Sequence, residues 1–139
     1  MKKLSLKTIL LYIYSASKRP LVVVPIFLDY PVKNEALLKA TAKGHKDIVE
    51  ILIENNADVN VSNGIDGTPL FLAMKNNHKE IVKVLLENNA DVNAVNYDGW
   101  TPIQWAIKQG FWTGYDLELI NLLLRYNADV NMWTQYVNL

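Results

Sequence analysis

The 139-residue chain contains no cysteine and has no net charge, because 14 basic side chains balance 14 acidic ones. Without cysteine there is no disulfide, no thiolate nucleophile and no cysteine-ligated metal. Without an excess of one charge there is no overall field to attract nucleic acid, so we expect no nucleic-acid partner. Neither absence fixes the compartment. We expect a cytoplasmic protein, with secretion or delivery into a host cell as the alternatives.

Long apolar runs are also missing, since none approaches the roughly 20 residues that a membrane-spanning helix needs. The first 34 residues contain two shorter runs, at 4–14 and 21–28. The first is typical of an amphipathic or buried helix, and the second is interrupted by proline, which favours extended chain. We therefore expect no membrane span. We interpret residues 1–34 as a divergent N-terminal segment that is a cap, a secretory signal or a flexible arm.

What the sequence contains in abundance is repetition. The tetrad Ala-Asp-Val-Asn begins at Ala57, Ala90 and Ala128, so the intervals are 33 and 38 residues. Stacked helical repeats recur on this scale. The apolar segments that precede the tetrads, at 48–53, 81–86 and 119–124, carry too much apolar surface for isolated short helices. Neighbouring copies must cover that surface.

Repeated residues also mark where two helices of each copy begin and end. Thr68-Pro69 and Thr101-Pro102 place a capping hydroxyl and a first-turn proline at the start of an inner helix. Asn56, Asn89 and Asn127 precede the tetrads, and we predict that they adopt positive φ and stop an outer helix. The segments after the tetrads contain Asn-Gly and Asp-Gly pairs, which are typical of hairpin turns.

These patterns resemble ankyrin repeats. The resemblance rests on GTPLFLA, HKEIVKVLLENNADVN, DGWTPIQWA and GHKDIVEILIENNADVN, and covers about residues 35–131. It implies an all-α solenoid of stacked helix-turn-helix units with projecting hairpin loops, in three repeats at about 35–62, 63–95 and 96–131, with a tail at 132–139. It also implies a non-catalytic module that binds a protein partner through hairpin tips and the concave inner-helix face. The alternative is a self-associating structural subunit, because uncovered terminal repeats can pack on other copies.

The sequence departs from the family pattern in three places. Phe71 and Gln104 stand where the family usually has histidine, so we expect the histidine's hydrogen bonds to the nearby threonine to be missing. The first copy has residues 35–38, EALL, in place of the threonine-proline start, so its inner helix lacks both cap and proline. The five extra residues of the longer interval fall around 110–115, and we predict that they form a loop between two helices.

We find no pattern that predicts catalysis. The sequence has no glycine-rich phosphate loop and no nucleophile elbow. His45 and His78 occupy equivalent positions in successive copies, which keeps them apart, so we interpret both as structural residues that hydrogen-bond locally. Asp116 and Glu118 begin an outer helix, where carboxylates interact favourably with the helix dipole. We expect no enzyme activity, no cofactor and no metal.

The resemblance places the candidate partner contacts at the hairpin tips, on the inner helices and in the insertion. These residues are Ile65, Asp66, Leu72, Lys75, Tyr97, Asp98, Trp100, Trp105, Lys108 and Trp112. We favour Tyr97, Trp100 and Trp105, because large aromatic side chains dominate binding when a partner desolvates them. For Trp100 and Trp105 the alternative is packing between repeats, and Lys75 and Lys108 are more readily interpreted as solvated side chains. For Phe111, Trp112 and Tyr115 the alternatives are a second contact point or a cover over the last outer helix.

Overall fold

The computed structural model describes residues 30–131, and within that range the chain is helical with no strand. The inner helices are α1 (Tyr30–Lys43), α3 (Pro69–Lys75) and α5 (Pro102–Thr113), and the outer helices are α2 (Lys46–Glu54), α4 (Lys79–Glu87) and α6 (Leu117–Arg125). Each inner helix packs on the outer helix that follows it, and α3 packs between α1 and α5. The all-α solenoid is therefore confirmed. The predictions for residues 1–29 and 132–139 lie outside the described residues.

A continuous apolar core runs through the stack because equivalent positions are buried in every copy. Leu52, Leu85 and Leu123 share one position of the outer helices, and none is more than 2% exposed. The small Ala73 and Ala106 are buried on inner helices, where α3 and α5 approach each other. Each copy thus covers apolar surface of its neighbour, because a single repeat is too short to bury that surface alone.

The predicted stop of the outer helices is confirmed in all three copies. Asn56, Asn89 and Asn127 have φ angles of 66°, 67° and 63°. In the first copy, the N–H of Ala57 donates to the carbonyl of Leu52 at 2.9 Å, and the other copies repeat this bond. This bond, from an N–H to the carbonyl five residues earlier, satisfies a carbonyl at the end of the helix and is characteristic of the Schellman motif.

The asparagines that end the first two tetrads each link their copy to the next. The Asn60 side-chain oxygen accepts a 2.7 Å hydrogen bond from the backbone N–H of Asp91, and the Asn93 oxygen accepts one of the same length from Asp129. Each of these aspartates in turn accepts a bond from the backbone N–H two residues later. We call this series the asparagine ladder. The ladder uses the aspartate and the asparagine of the tetrad, which explains why the sequence repeats these two residues.

Helix α1 includes Tyr30–Lys43 and therefore continues across the predicted limit between residues 34 and 35. It needs no threonine-proline start at residue 35, because that residue lies in the middle of the helix. The additional turn places Asn34 so that its side-chain oxygen accepts a 2.8 Å bond from the N–H of Asp58. Lys33 donates to the carbonyl of Asn55 at 2.9 Å. Asn34 thus gives the first tetrad the bond that Asn60 and Asn93 give the later ones.

The prediction of a loop at residues 110–115 is wrong for most of that segment. Gly110 is equivalent to Gly44 and Asn77, which have φ angles of 80° and 58° just beyond their inner helices. Gly110 instead lies buried inside α5, and the helix continues until Gly114 with a φ of 91°. The Tyr115 ring packs so closely on Gly110 that an added Cβ would collide with it. The extra residues therefore lengthen α5.

The two predicted threonine caps have different outcomes. Thr101 accepts a bond from the N–H of Gln104 at 3.4 Å, and the Gln104 side chain accepts one from the N–H of Thr101 at 3.0 Å. This capping box corrects our expectation that the third copy lacks a bond from this position to the threonine. The cap predicted for Thr68 is wrong, because its hydroxyl makes no such bond. Phe71, the equivalent of Gln104, has no side-chain acceptor to complete a box.

Candidate functional site

The two described hairpin loops present exposed apolar tips on a fixed backbone. Ile65 is 79% exposed and Tyr97 is 82% exposed. In the first loop the side-chain oxygen of Asn63 accepts bonds from the N–H groups of Ile65 and Asp66. In the second, the Asn96 side chain accepts from the N–H of Trp100 at 2.9 Å, while the Asn96 N–H donates to the Trp100 carbonyl. Asparagine side chains therefore set the shape of both loops.

Lys75 and Lys108 occupy equivalent positions on α3 and α5 but have different partners. The Lys75 ammonium lies 3.2 Å from the Asp66 carboxylate. The Asn63 amide and then Lys75 hold the pKa of Asp66 below its ordinary value through hydrogen bonds. Lys108 instead lies over the ring of Trp100, with its nitrogen 4.6 Å from the ring centroid. Trp100 directly follows Gly99, the equivalent of Asp66, so this copy has no acid at that position.

Three predicted contact residues lie along one side of α5. Trp105, Lys108 and Trp112 follow each other at steps of three and four residues, which brings them to one face of a helix. Trp105 packs partly against the core, whereas Lys108 is exposed and Trp112 is 84% exposed. We call this row the α5 stripe. Trp112 belongs to it only because α5 continues through Gly110.

Leu72 does not join this surface. It is 6% exposed, because α3 has α1 on one side and α5 on the other. Its equivalent in the last described copy is Trp105, which is only partly buried. Trp105 therefore combines packing, the alternative considered for it, with some accessible surface.

The aromatic residues at the end of α5 do not cover the last outer helix. Phe111 and Trp112 are both exposed. Phe111 meets Tyr115 edge to face, with 5.7 Å between ring centroids and 68° between ring planes. Tyr115 is the member of the group that turns back toward the protein, where it contacts Gly110.

The histidines take structural positions at the N-termini of the outer helices α2 and α4, without side-chain caps. The Nε2 of His78 lies 3.2 Å from the carbonyl oxygen of Ala42, and its ring packs over Gly44. This contact joins the second copy to the first, so the prediction of a local bond is wrong for His78. Residues 30–131 contain no group of side chains that could hold a metal ion.

The third copy has Asp116 where the others have histidine. Its carboxylate accepts a bond from the N–H of Leu119 at 3.1 Å and lies 2.8 Å from the ammonium of Lys79 on the preceding outer helix. Glu118 contacts the same ammonium at 3.2 Å. These hydrogen bonds, that of Asp116 first, raise the pKa of Lys79, and the bond from Lys79 lowers the pKa of Asp116. The predicted helix-terminal role of the acids is confirmed, and they also join two copies.

Comparison with known families decides the classification of the repeats. A family model described as ankyrin repeats in three copies matches residues 37–133. The chain is an ankyrin-repeat protein. Ankyrin repeats are generally protein–protein interaction modules. A search of curated proteins found no match for the chain. Within residues 30–131, no helix is both long enough and apolar enough to cross a membrane.

Proposed function

We propose that this ankyrin-repeat protein binds a protein partner through its second hairpin tip and the α5 stripe. The observation that carries the proposal is Trp112, a tryptophan that is 84% exposed on the same side of α5 as Trp105 and Lys108. Large exposed aromatic side chains gain most when a partner removes them from water. Stacking does not require this exposure, since the equivalent stretch of the second copy has neither the extra helical turns nor the tryptophan.

Trp100 and Lys108 connect the second hairpin loop to the α5 stripe. Tyr97 lies at the loop tip, Trp100 lies at the base of the loop, and Lys108 reaches from α5 to the Trp100 ring. The loop is held by the Asn96 bonds, so it needs little further ordering when a partner arrives. A rigid loop beside a rigid helix favours a partner that contacts both elements.

The first experiment compares partner capture by the wild type and by a Tyr97→Ala, Trp112→Ala double variant. Both side chains are exposed, so we expect the variant to keep the wild-type circular dichroism spectrum and unfolding midpoint. The matched control is Leu117→Ala, which removes an exposed apolar side chain from the start of an outer helix. A protein captured by wild type and control should bind the double variant at least about tenfold more weakly. Equal binding by all three proteins contradicts the proposed surface.

A second candidate function, self-association, is favoured by the last described copy. Leu124 is 43% exposed, whereas its equivalent Leu86 is 3% exposed. Val130 is 51% exposed, whereas Val92 is 8% exposed. The second copy has the third copy stacked on it, whereas these exposed positions of the third copy offer an apolar surface to a second molecule.

Sedimentation equilibrium over a hundredfold range of protein concentration tests self-association. If the surface that contains Leu124 and Val130 mediates self-association, the average mass of the wild type should rise with concentration. The average mass of Leu124→Glu should remain that of the monomer. The control is Lys83→Glu, which changes an exposed charge on α4. A constant monomer mass in the wild type contradicts this candidate.

A further inference from the structure

We propose that the partner presents to the α5 stripe an acidic side chain with apolar side chains on both sides of it. Lys108 would bind the carboxylate, while Trp105 and Trp112 would contact the apolar groups. This inference rests on the proposed function and adds the chemistry of the partner segment.

Lys108 differs from Lys39 and Lys75, two other inner-helix lysines, because their ammonium groups pair with carboxylates. Lys39 lies 2.8 Å from the Glu35 carboxylate, and Lys75 lies 3.2 Å from that of Asp66. Within residues 30–131, Lys108 has no carboxylate within ion-pair distance, and its contact is the ring of Trp100. An aromatic ring attracts a cation through its quadrupole but carries no negative charge. The positive charge of Lys108 is therefore not neutralised by any carboxylate of residues 30–131.

The Trp100 ring also prepares Lys108 for binding. It restrains a side chain that otherwise loses much rotamer freedom when it binds. An ammonium group has three hydrogen-bond donors, and a ring on one side leaves donors available on the other. An arriving carboxylate can then form a charge-assisted hydrogen bond without displacing an acid of residues 30–131.

The spacing along α5 sets the size of the complementary segment. Trp105 precedes Lys108 by three residues and Trp112 follows it by four. At 1.5 Å per residue, the two tryptophans are separated by about 10 Å along the helix axis, and the backbone of Lys108 lies between them. The complementary segment should therefore carry two apolar side chains about 10 Å apart and a carboxylate between them.

Selection from a displayed library of random 16-residue peptides tests this chemistry. The targets are the wild type, Lys108→Glu, Trp112→Ala and the control Lys83→Glu, which reverses an exposed charge on the outer helix α4. The wild type and the control should enrich peptides with Asp or Glu between apolar residues. Lys108→Glu should instead enrich Lys or Arg at that place. A synthetic peptide with the wild-type motif should bind Lys108→Glu at least tenfold more weakly, and raising the salt concentration should weaken its binding to the wild type.

Two results overturn the inference, and they differ in what they mean for the proposed function. If peptides bind through Trp112 without a preference for acids, or if Lys108→Glu enriches the same peptides as the wild type, the surface is a binding site but the acidic partner is wrong. If enrichment is unchanged in Trp112→Ala, or if no target enriches any peptide, the inference fails. The capture experiment with Tyr97→Ala, Trp112→Ala then decides separately whether a folded protein binds there. Circular dichroism spectra of all four targets establish that each remains folded.

Discussion

Replacing the same threonine by valine in two successive copies should change stability in opposite directions. Thr68 and Thr101 both precede the proline that begins an inner helix, and both have extended backbone angles that suit a β-branched residue. The Thr68 hydroxyl is buried and has no hydrogen-bond partner within residues 30–131. The Thr101 hydroxyl belongs to the capping box with Gln104. The same substitution therefore removes an unsatisfied group in one copy and a capping bond in the other.

The expected magnitudes follow from these two environments. A buried hydroxyl without a partner costs about 1–3 kcal/mol, so Thr68→Val should raise the free energy of unfolding by about 1 kcal/mol. Loss of a threonine cap costs about 0.5–2 kcal/mol, so Thr101→Val should lower the free energy of unfolding by about 1 kcal/mol. Gln104 is 1% exposed, so water cannot readily replace the lost bond. The two variants should therefore differ by about 2 kcal/mol.

Urea unfolding followed by far-ultraviolet circular dichroism and by tryptophan fluorescence measures this difference. With an m-value of about 1–3 kcal/mol per molar, a change of 1 kcal/mol moves the midpoint by roughly 0.3–1 M. Agreement between the two probes would support the two-state treatment of each variant. If Thr68→Val lowers stability as much as Thr101→Val does, the Thr68 hydroxyl is satisfied, and our account of how Phe71 and Gln104 differ is wrong.

Two further predictions concern contacts between copies. Asn34→Ala and Asn60→Ala each remove one bond of the asparagine ladder. Each should therefore lower the free energy of unfolding, measured by urea titration, by about 0.5–1.5 kcal/mol. An unchanged free energy of unfolding in Asn34→Ala would show that α1 does not support the first tetrad. The hydrogen bond from Lys79 lowers the pKa of Asp116 in the folded state. The ionised Asp116 therefore stabilises the fold above the ordinary aspartate pKa of about 3.9. This stabilisation is lost as the pH falls through the lower pKa of the folded state. Thermal unfolding midpoints from pH 7 to pH 2 should therefore fall less in Asp116→Asn than in the wild type, and equal falls would contradict this linkage.

The repeat architecture could be predicted from the sequence because its determinants are local and recur. Asn56, Asn89 and Asn127 predicted the stop of the outer helices, and the positive φ angles confirm it. The apolar segments of the outer helices predicted a core shared between copies, and the buried leucines confirm it. Each of these features depends on residues within a few positions of one another, so spacing alone was sufficient.

The extension of α5 and the role of Asn34 could not be predicted from spacing, because both depend on side-chain contacts in the folded protein. The five extra residues around 110–115 predicted a loop, but the helix continues through Gly110, and the ring of Tyr115 packs against that glycine. Asn34 lies outside the repeated tetrads, so no alignment of copies identifies it as a ladder residue. Gln104 could have been recognised, because a threonine followed three residues later by glutamine is the signature of a capping box.

The contrast between the second and third copies explains why the candidate site lies on the third. Three of its features have no counterpart in the second copy: Trp100 in place of Gly67, Trp105 in place of Leu72, and the extra helical turns that carry Trp112. The second copy stacks without any of them, so stacking alone does not require them. Trp100 places its ring under Lys108, and Trp105 and Trp112 lie on the same face of α5 as Lys108, whose equivalent in the second copy is already paired with an acid. Trp105 packs partly against the core, but Trp112 is 84% exposed and serves no evident packing need. These differences therefore support the proposal of a partner that presents a carboxylate to the α5 stripe.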